Sequence, residues 1–229
     1  MMDSWKLHIG IESTVCLKHS AAGDYFCHPC KKGNQLHFDR CKGIRIFFLC
    51  SGRLRADGTL LEEKTVYIPH PSQALEITAL EDSLLLEIYR PDAADVAQLP
   101  YLLAYADAPT YREDCKSEKT TSRMLIPARI VPDFAMGSVE TAGTDRIAAH
   151  THPDVDQYFF GLAENNCILL LDGKEYPFGG NHLVHIPLAS SHGVELEEQH
   201  ICHYLWMDSL LNEDALTYME EAHKMDGGK

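Results

Sequence analysis

The sequence predicts an all-β fold of two jelly-roll barrels in tandem, with a short linker helix between them and a helix at the carboxyl end. Three observations point there. Short runs rich in β-branched, aromatic or leucine residues recur along the chain, two Asp-Gly pairs interrupt them, and the two halves echo each other.

The runs lie at 44–50, 65–69, 74–79, 84–89, 167–171, 182–187 and 201–207, each of a length and composition that suits a strand. Asp57-Gly58 and Asp172-Gly173 each follow one strand-like segment and precede another, which is the mark of a tight hairpin turn with positive φ. Segment 91–106 has the composition of a short helix, and the polar segment 109–122 reads as a connection, so the domains are expected at 1–114 and 115–229. Near the end, Asn212 can cap a helix with Ala215, Leu216, Met219 and Ala222 on one face, running to Gly227-Gly228 and packing on a sheet or another subunit.

The echo runs from Ile46-Phe47-Phe48 through Asp57-Gly58 to Ile68-Pro69, and again from Tyr158-Phe159-Phe160 through Asp172-Gly173 to Ile186-Pro187. Duplication is the economical reading. Many short antiparallel strands per repeat favour paired jelly rolls, which protect their edges. A repeat of about 100 residues buries roughly 60 to 70% of its unfolded surface, enough for its own core.

Composition narrows the function. The formal net charge of −14, with only 20 basic residues and no basic run among them, argues against nucleic acid and anionic membrane surfaces as partners. No run approaches the roughly 20 apolar residues that span a bilayer, and the first residues lead into no apolar signal core, so a cytoplasmic protein is expected. Five of the eight cysteines fall between Cys16 and Cys50. Cys27, His28, Cys30, His37 and Cys41 offer soft ligands, but their spacing fits no zinc motif, and ordinary thiols are expected.

The residues with chemistry lie in the second half. His150 and His152 are two apart, so on a strand both imidazoles point the same way, and Gln157 and His192 follow. Three imidazoles and one oxygen donor suit one divalent transition metal, Fe, Mn, Ni, Zn or Cu, better than Mg or Ca. Counting in twos back from His150 reaches Arg146, a candidate clamp for a substrate carboxylate or else a surface or interface residue. Phe159, two beyond Gln157, is expected as an apolar pocket wall, and His203, Tyr204 and Glu140 are candidates for a general acid or base. His182 and His185 are expected as ordinary strand residues.

At these residues the sequence resembles the cupin superfamily. Gly143, His150, His152 and Gln157 match a first motif of Gly, H-x-H and then Glu; Pro187, Ala189 and His192 match a second, P-x-G-x-x-H. Gln157 stands where most cupins have Glu, Ala189 and Glu164 where the motifs have Gly, and Leu196 where the second often ends in Asn. The resemblance covers residues 125–208 strongly. Alignment of the repeats puts Phe38, Arg40, Arg45 and Ala74 where the second half has its four ligands, so the first domain is expected to be a degenerate cupin without metal.

Within that superfamily the set His, His, Gln, His is similar to that of enzymes that open unsaturated uronates to keto forms. The resemblance implies a metal-dependent isomerase or lyase acting on a sugar acid or keto acid, with a small anionic substrate and a homodimer. A cupin dioxygenase and a non-enzymatic small-molecule binding or sensor protein are the alternatives.

Overall fold

All seven strand-like runs form strands, because each presents apolar side chains to a core on at least one face. The computed structural model describes residues 4–6, 14–20, 23–91, 96 and 98–225. Strands Ile44–Ser51, Ser83–Arg90, Val155–Gly161 and Ile201–Leu210 are nearly continuous in burial, as central strands covered on both faces should be. Both expected hairpins turn on positive φ at two successive residues: Asp57 (44°) and Gly58 (85°), then Asp172 (49°) and Gly173 (73°). Mirror-image turns of this kind match the twist of the strands they join.

The chain divides into two compact units, one of Leu7–Asp107 and one of Met1–Lys6 with Ala108–Lys229. In the first, a 6-stranded sheet has the order Tyr101–Ala104, Thr65–Ile68, Ile44–Ser51, Ser83–Arg90, Gly23–Cys30, Val15–Ser20, and a 4-stranded sheet the order Gln35–Phe38, Leu75–Ala79, Leu54–Ala56, Thr59–Leu61. In the second, the large sheet runs Ser4–Lys6, His182–Ile186, Val155–Gly161, Ile201–Leu210, Phe134–Ala142, Thr121–Val131, and then adds Thr110–Arg112 and Lys224–Met225. Its small sheet runs Asp145–His150, His192–Leu196, Asn166–Leu171, Lys174–Gly179. The orders correspond strand for strand, which is the duplication heard in the sequence. Phe47, Leu49, Leu54, Ile77 and Leu85 are in the core of the first unit, and Phe159, Leu169, Phe178, Val194 and Trp206 in that of the second.

Three expectations need correction. No α-helix occupies 98–106: Tyr101–Ala104 is a strand paired with Thr65–Ile68, followed by a short 3-10 helix at Tyr105–Asp107, and residues 92–95 and 97 lie outside the described residues. Edge pairing there overrides the helical composition. The division falls between Asp107 and Ala108, ahead of 114/115, because Thr110–Arg112 pairs with Thr121–Val131 in the second unit's sheet. The final helix begins as expected, with Asn212 Oδ1 accepting from Ala215 N at 2.9 Å, and buries Ala215 and Met219 against its own unit. It ends at Ala222, well before Gly227, where Lys224–Met225 turns into an edge strand on Thr110–Arg112.

All eight cysteines are free thiols. Among the described residues no cluster of metal-binding groups forms in the first unit, where His28 instead bonds Glu87 at 2.7 Å. No described helix is long and apolar enough to cross a membrane.

Gly137 shows how tightly the second unit is packed. A Cβ there would lie 2.5 Å from the Arg123 carbonyl oxygen and against the Trp206 indole. Gly137→Ala is therefore expected to destabilise the fold by roughly 2 kcal/mol, read as a lower urea midpoint, as overpacked cores do. An unchanged midpoint would contradict this packing.

Candidate metal centre

The site is assembled by the alternation of side chains on paired strands. Strand Val155–Gly161 lies between His182–Ile186 and Ile201–Leu210, with Gln157 opposite Asp208 and Phe159 opposite Trp206. Alternation sends those four side chains into one cavity, together with Tyr204. His150 ends the strand Asp145–His150, opposite His192 on the neighbouring strand, and His152 follows just beyond.

The three histidines converge. Their ligand atoms all lie within 4.8 Å of one another, and the ring centroids are 4.8 Å apart for His150 and His152, 4.5 Å for His150 and His192, and 5.1 Å for His152 and His192. The Nδ1 of His150 is 2.8 Å from the Ala148 carbonyl oxygen and that of His192 is 3.2 Å from that of Ser190. An Nδ1–H donating to a carbonyl leaves Nε2 with its lone pair free, the tautomer a metal requires. His152 Nδ1 and Gln157 Oε1 are buried without a hydrogen-bond partner, while the Gln157 amide bonds the Asp208 carboxyl. Buried polar atoms without partners are rare, and a cation between the imidazoles and the amide oxygen would satisfy them. The donor set fits a divalent transition-metal ion.

Ala189, at the motif's glycine position, adopts φ 60°. The left-handed backbone at this residue carries the turn into His192, and alanine holds it at a cost of about 1 kcal/mol relative to glycine.

Burial keeps two of the three imidazoles unprotonated. Burial, and then the neighbouring imidazoles, lowers His152 to about 3; burial and His150 lower His192 to about 4. Burial raises Asp208 to about 8, against a hydrogen bond from Gln157, and raises Tyr204 well above its ordinary value.

Four charged or polar residues beside the cavity come from segments read as a connection and as the terminal helix. Lys116 Nζ is 2.7 Å from Glu113 Oε1, and His223 Nε2 is 3.1 Å from the same oxygen. Burial works against the Glu113 charge, but Lys116 and His223 outweigh it and hold the carboxyl well below the usual range. Cys115 Sγ donates to Glu113 Oε2 at 3.4 Å; burial and that carboxylate push the thiol up to about 12. His223 packs on Tyr111 and Trp206, with centroids 4.4 and 5.1 Å away.

The sequence candidates divide cleanly. His150, His152, Gln157, His192, Phe159 and Tyr204 line the cavity. Arg146 does not: it is exposed and faces Glu195 at 3.6 Å, because a register shift between Ile147 and His150 breaks the count in twos. His203 points away from the cavity, with Nδ1 2.7 Å from Glu164 Oε1, and Glu140 is exposed on the face opposite Val139. Asp156 also faces outward, bonded to His185 Nε2 at 2.7 Å. Asp208 was missed, although a count of two and four onward from Tyr204 reaches Trp206 and Asp208. Glu113, Lys116 and His223 carry no local signal of burial.

The lowered histidines make a prediction for the metal-free protein. An unfolded imidazole takes up a proton near pH 6.5, whereas these two stay neutral in the fold until about pH 4 and below. Their contribution is therefore complete above about pH 6.5 and is lost as pH falls, by about 2 kcal/mol each at pH 5. Urea unfolding at pH 7 and pH 5 should show a larger acid loss for wild type than for the His152→Gln, His192→Gln double variant. Equal losses would contradict the burial of these rings.

No family model matches the chain, and no curated relative matches it. Solved structures do. The oxalate decarboxylase of Lactobacillus farciminis, in a formate complex, superposes with TM-score 0.70 at 13% identity over 91% of this chain and 86% of that one. An IolB-like protein from Salmonella typhimurium gives 0.65 at 13% over 92% and 94%, and a cupin 2 conserved barrel domain protein from Leptotrichia buccalis gives 0.60 at 14% over 87% and 88%. Identities this low speak for the fold, and the fold of this chain is that of the cupins, with two barrels in one chain.

Proposed function

We propose that the second barrel is a metal-dependent enzyme of the isomerase or lyase class acting on a small sugar acid or keto acid, with one divalent transition-metal ion at His150, His152, Gln157 and His192. The observation that carries this reading is the convergence of three imidazoles and an unpartnered Gln157 Oε1 on one cavity. Bound there, the ion would supply Lewis acidity, polarising a substrate carbonyl or hydroxyl. All four ligands are neutral, so none of them offsets its charge, which favours polarisation over the support of a higher oxidation state.

The chain's own residues account for the rest. Asp208 presents an unpartnered Oδ1 on the cavity wall and is placed to give or take a proton there. Tyr204, whose burial pushes its hydroxyl well above the ordinary value, is placed to donate a hydrogen bond. Phe159 and Trp206 wall the cavity with apolar surface and keep water from the reacting atoms. Oxalate decarboxylases stand among the structural neighbours, one from Bacillus subtilis with Mn(II) centres, which supports metal-dependent chemistry on a small carboxylate.

Elemental analysis of metal-replete protein should find about one ion per chain, absent from His152→Ala, whose circular dichroism should remain that of a folded barrel. Gln157→Glu should bind the ion roughly tenfold more tightly and turn substrate over more slowly, because a carboxylate quenches the electrophile. Oxygen consumption in step with turnover, or faster turnover in Gln157→Glu, would overturn the Lewis-acid reading.

A further inference from the structure

The cavity that holds the three histidines is about 20 Å³. Sites that enclose small organic ligands measure about 300–1,000 Å³, so an ion fits and a sugar acid or keto acid does not until something yields. A second cavity, of about 320 Å³, is also lined by Glu113 and Lys116, so this pair borders both the space among the histidines and one of ligand size.

Lys116 is the one lysine or arginine among the described residues that line the cavity. Its side chain is 8% exposed, and its three donors are all engaged: Glu113 Oε1 at 2.7 Å, Ser122 Oγ at 3.0 Å and Tyr111 OH at 3.4 Å. A buried ammonium without an anion is strongly disfavoured, so this lysine needs a carboxylate whether or not substrate is present. Glu113 meets that need here and is itself held twice, since His223 bonds the same oxygen.

We propose that Lys116 receives the carboxylate of the substrate, and that Glu113 occupies that seat in the substrate's absence. This rests on the enzymatic reading of the same cavity. An entering anion replaces one carboxylate by another on the ammonium, so Lys116 keeps a counter-charge throughout. The displaced Glu113 retains His223 as a partner, and its departure opens the histidine cavity toward the larger one that it also lines. The role that the sequence suggested for Arg146 passes to a residue on the connecting segment, and selectivity for anionic substrates follows from the exchange.

The test uses the metal-loaded full chain, with pyruvate as the probe in isothermal titration and metal content measured on each sample. Lys116→Met should weaken pyruvate binding by at least about tenfold with metal content unchanged, and Lys116→Arg should restore part of it. Glu113→Gln should bind pyruvate more tightly than wild type, because the internal competitor has lost its charge. Undiminished binding in Lys116→Met would overturn the assignment, as would a failure of both wild type and Glu113→Gln to bind pyruvate while carrying one ion. Loss of metal from Glu113→Gln would also overturn it, making Glu113 a ligand, since its carboxylate, Cys115 Sγ and a His150 nitrogen lie within 4.8 Å of one another. Wild type without metal would instead defeat the enzymatic reading on which the assignment stands.

Discussion

The antiparallel register of Val155–Gly161 between two neighbours is the constraint from which the site follows. With Gln157 fixed opposite Ile186 on one side and Asp208 on the other, the period of two decides which side chains enter the barrel. A slip of one residue would turn Asp156 and Tyr158 inward and send Gln157 and Phe159 out. The core prevents that slip: Phe159 packs on Tyr204 at 4.7 Å and on Phe178 at 6.4 Å. Apolar packing thus holds the donors together where burial keeps His152 and His192 unprotonated and leaves their lone pairs for an ion.

The first barrel has the same strand order with a different interior. Arg45, at the position aligned with Gln157, forms a partly buried ion pair with Glu87, which also bonds His28, and the Arg45 guanidinium lies 5.3 Å from the centre of the Phe38 ring. Phe38 takes the place aligned with His150 and packs on Phe47 at 5.0 Å. A fixed internal cation and an aromatic ring fill the space that the second barrel leaves for donors. The sheet scaffold is indifferent to the exchange, because its stability comes from apolar packing at other positions.

Much of this was legible in the sequence. Strand positions and hairpins follow from local pattern, and the ligands from spacing on a strand. Arg146 failed because the count in twos assumed an unbroken strand, and a bulge before His150 leaves no mark among small residues such as Ala148 and Ala149. The helix expected in segment 91–106 gives way to a strand at Tyr101–Ala104 because an edge strand is specified by the neighbour it pairs with. Glu113 and Lys116 were invisible as site residues because an acid and a base three apart look like any solvated surface. Only the fold brings Ser122, Tyr111 and His223 around them.

The central claim is that one ion sits among the three imidazoles. Anomalous diffraction from crystals of the metal-loaded protein, recorded at the edge of the metal found, tests it most directly. The account predicts one peak per chain, at about 2.0–2.2 Å from a nitrogen of each of His150, His152 and His192 and close to Gln157 Oε1. A peak among Glu113, Cys115 and His150, a second peak in the first barrel, or no peak at all would contradict it.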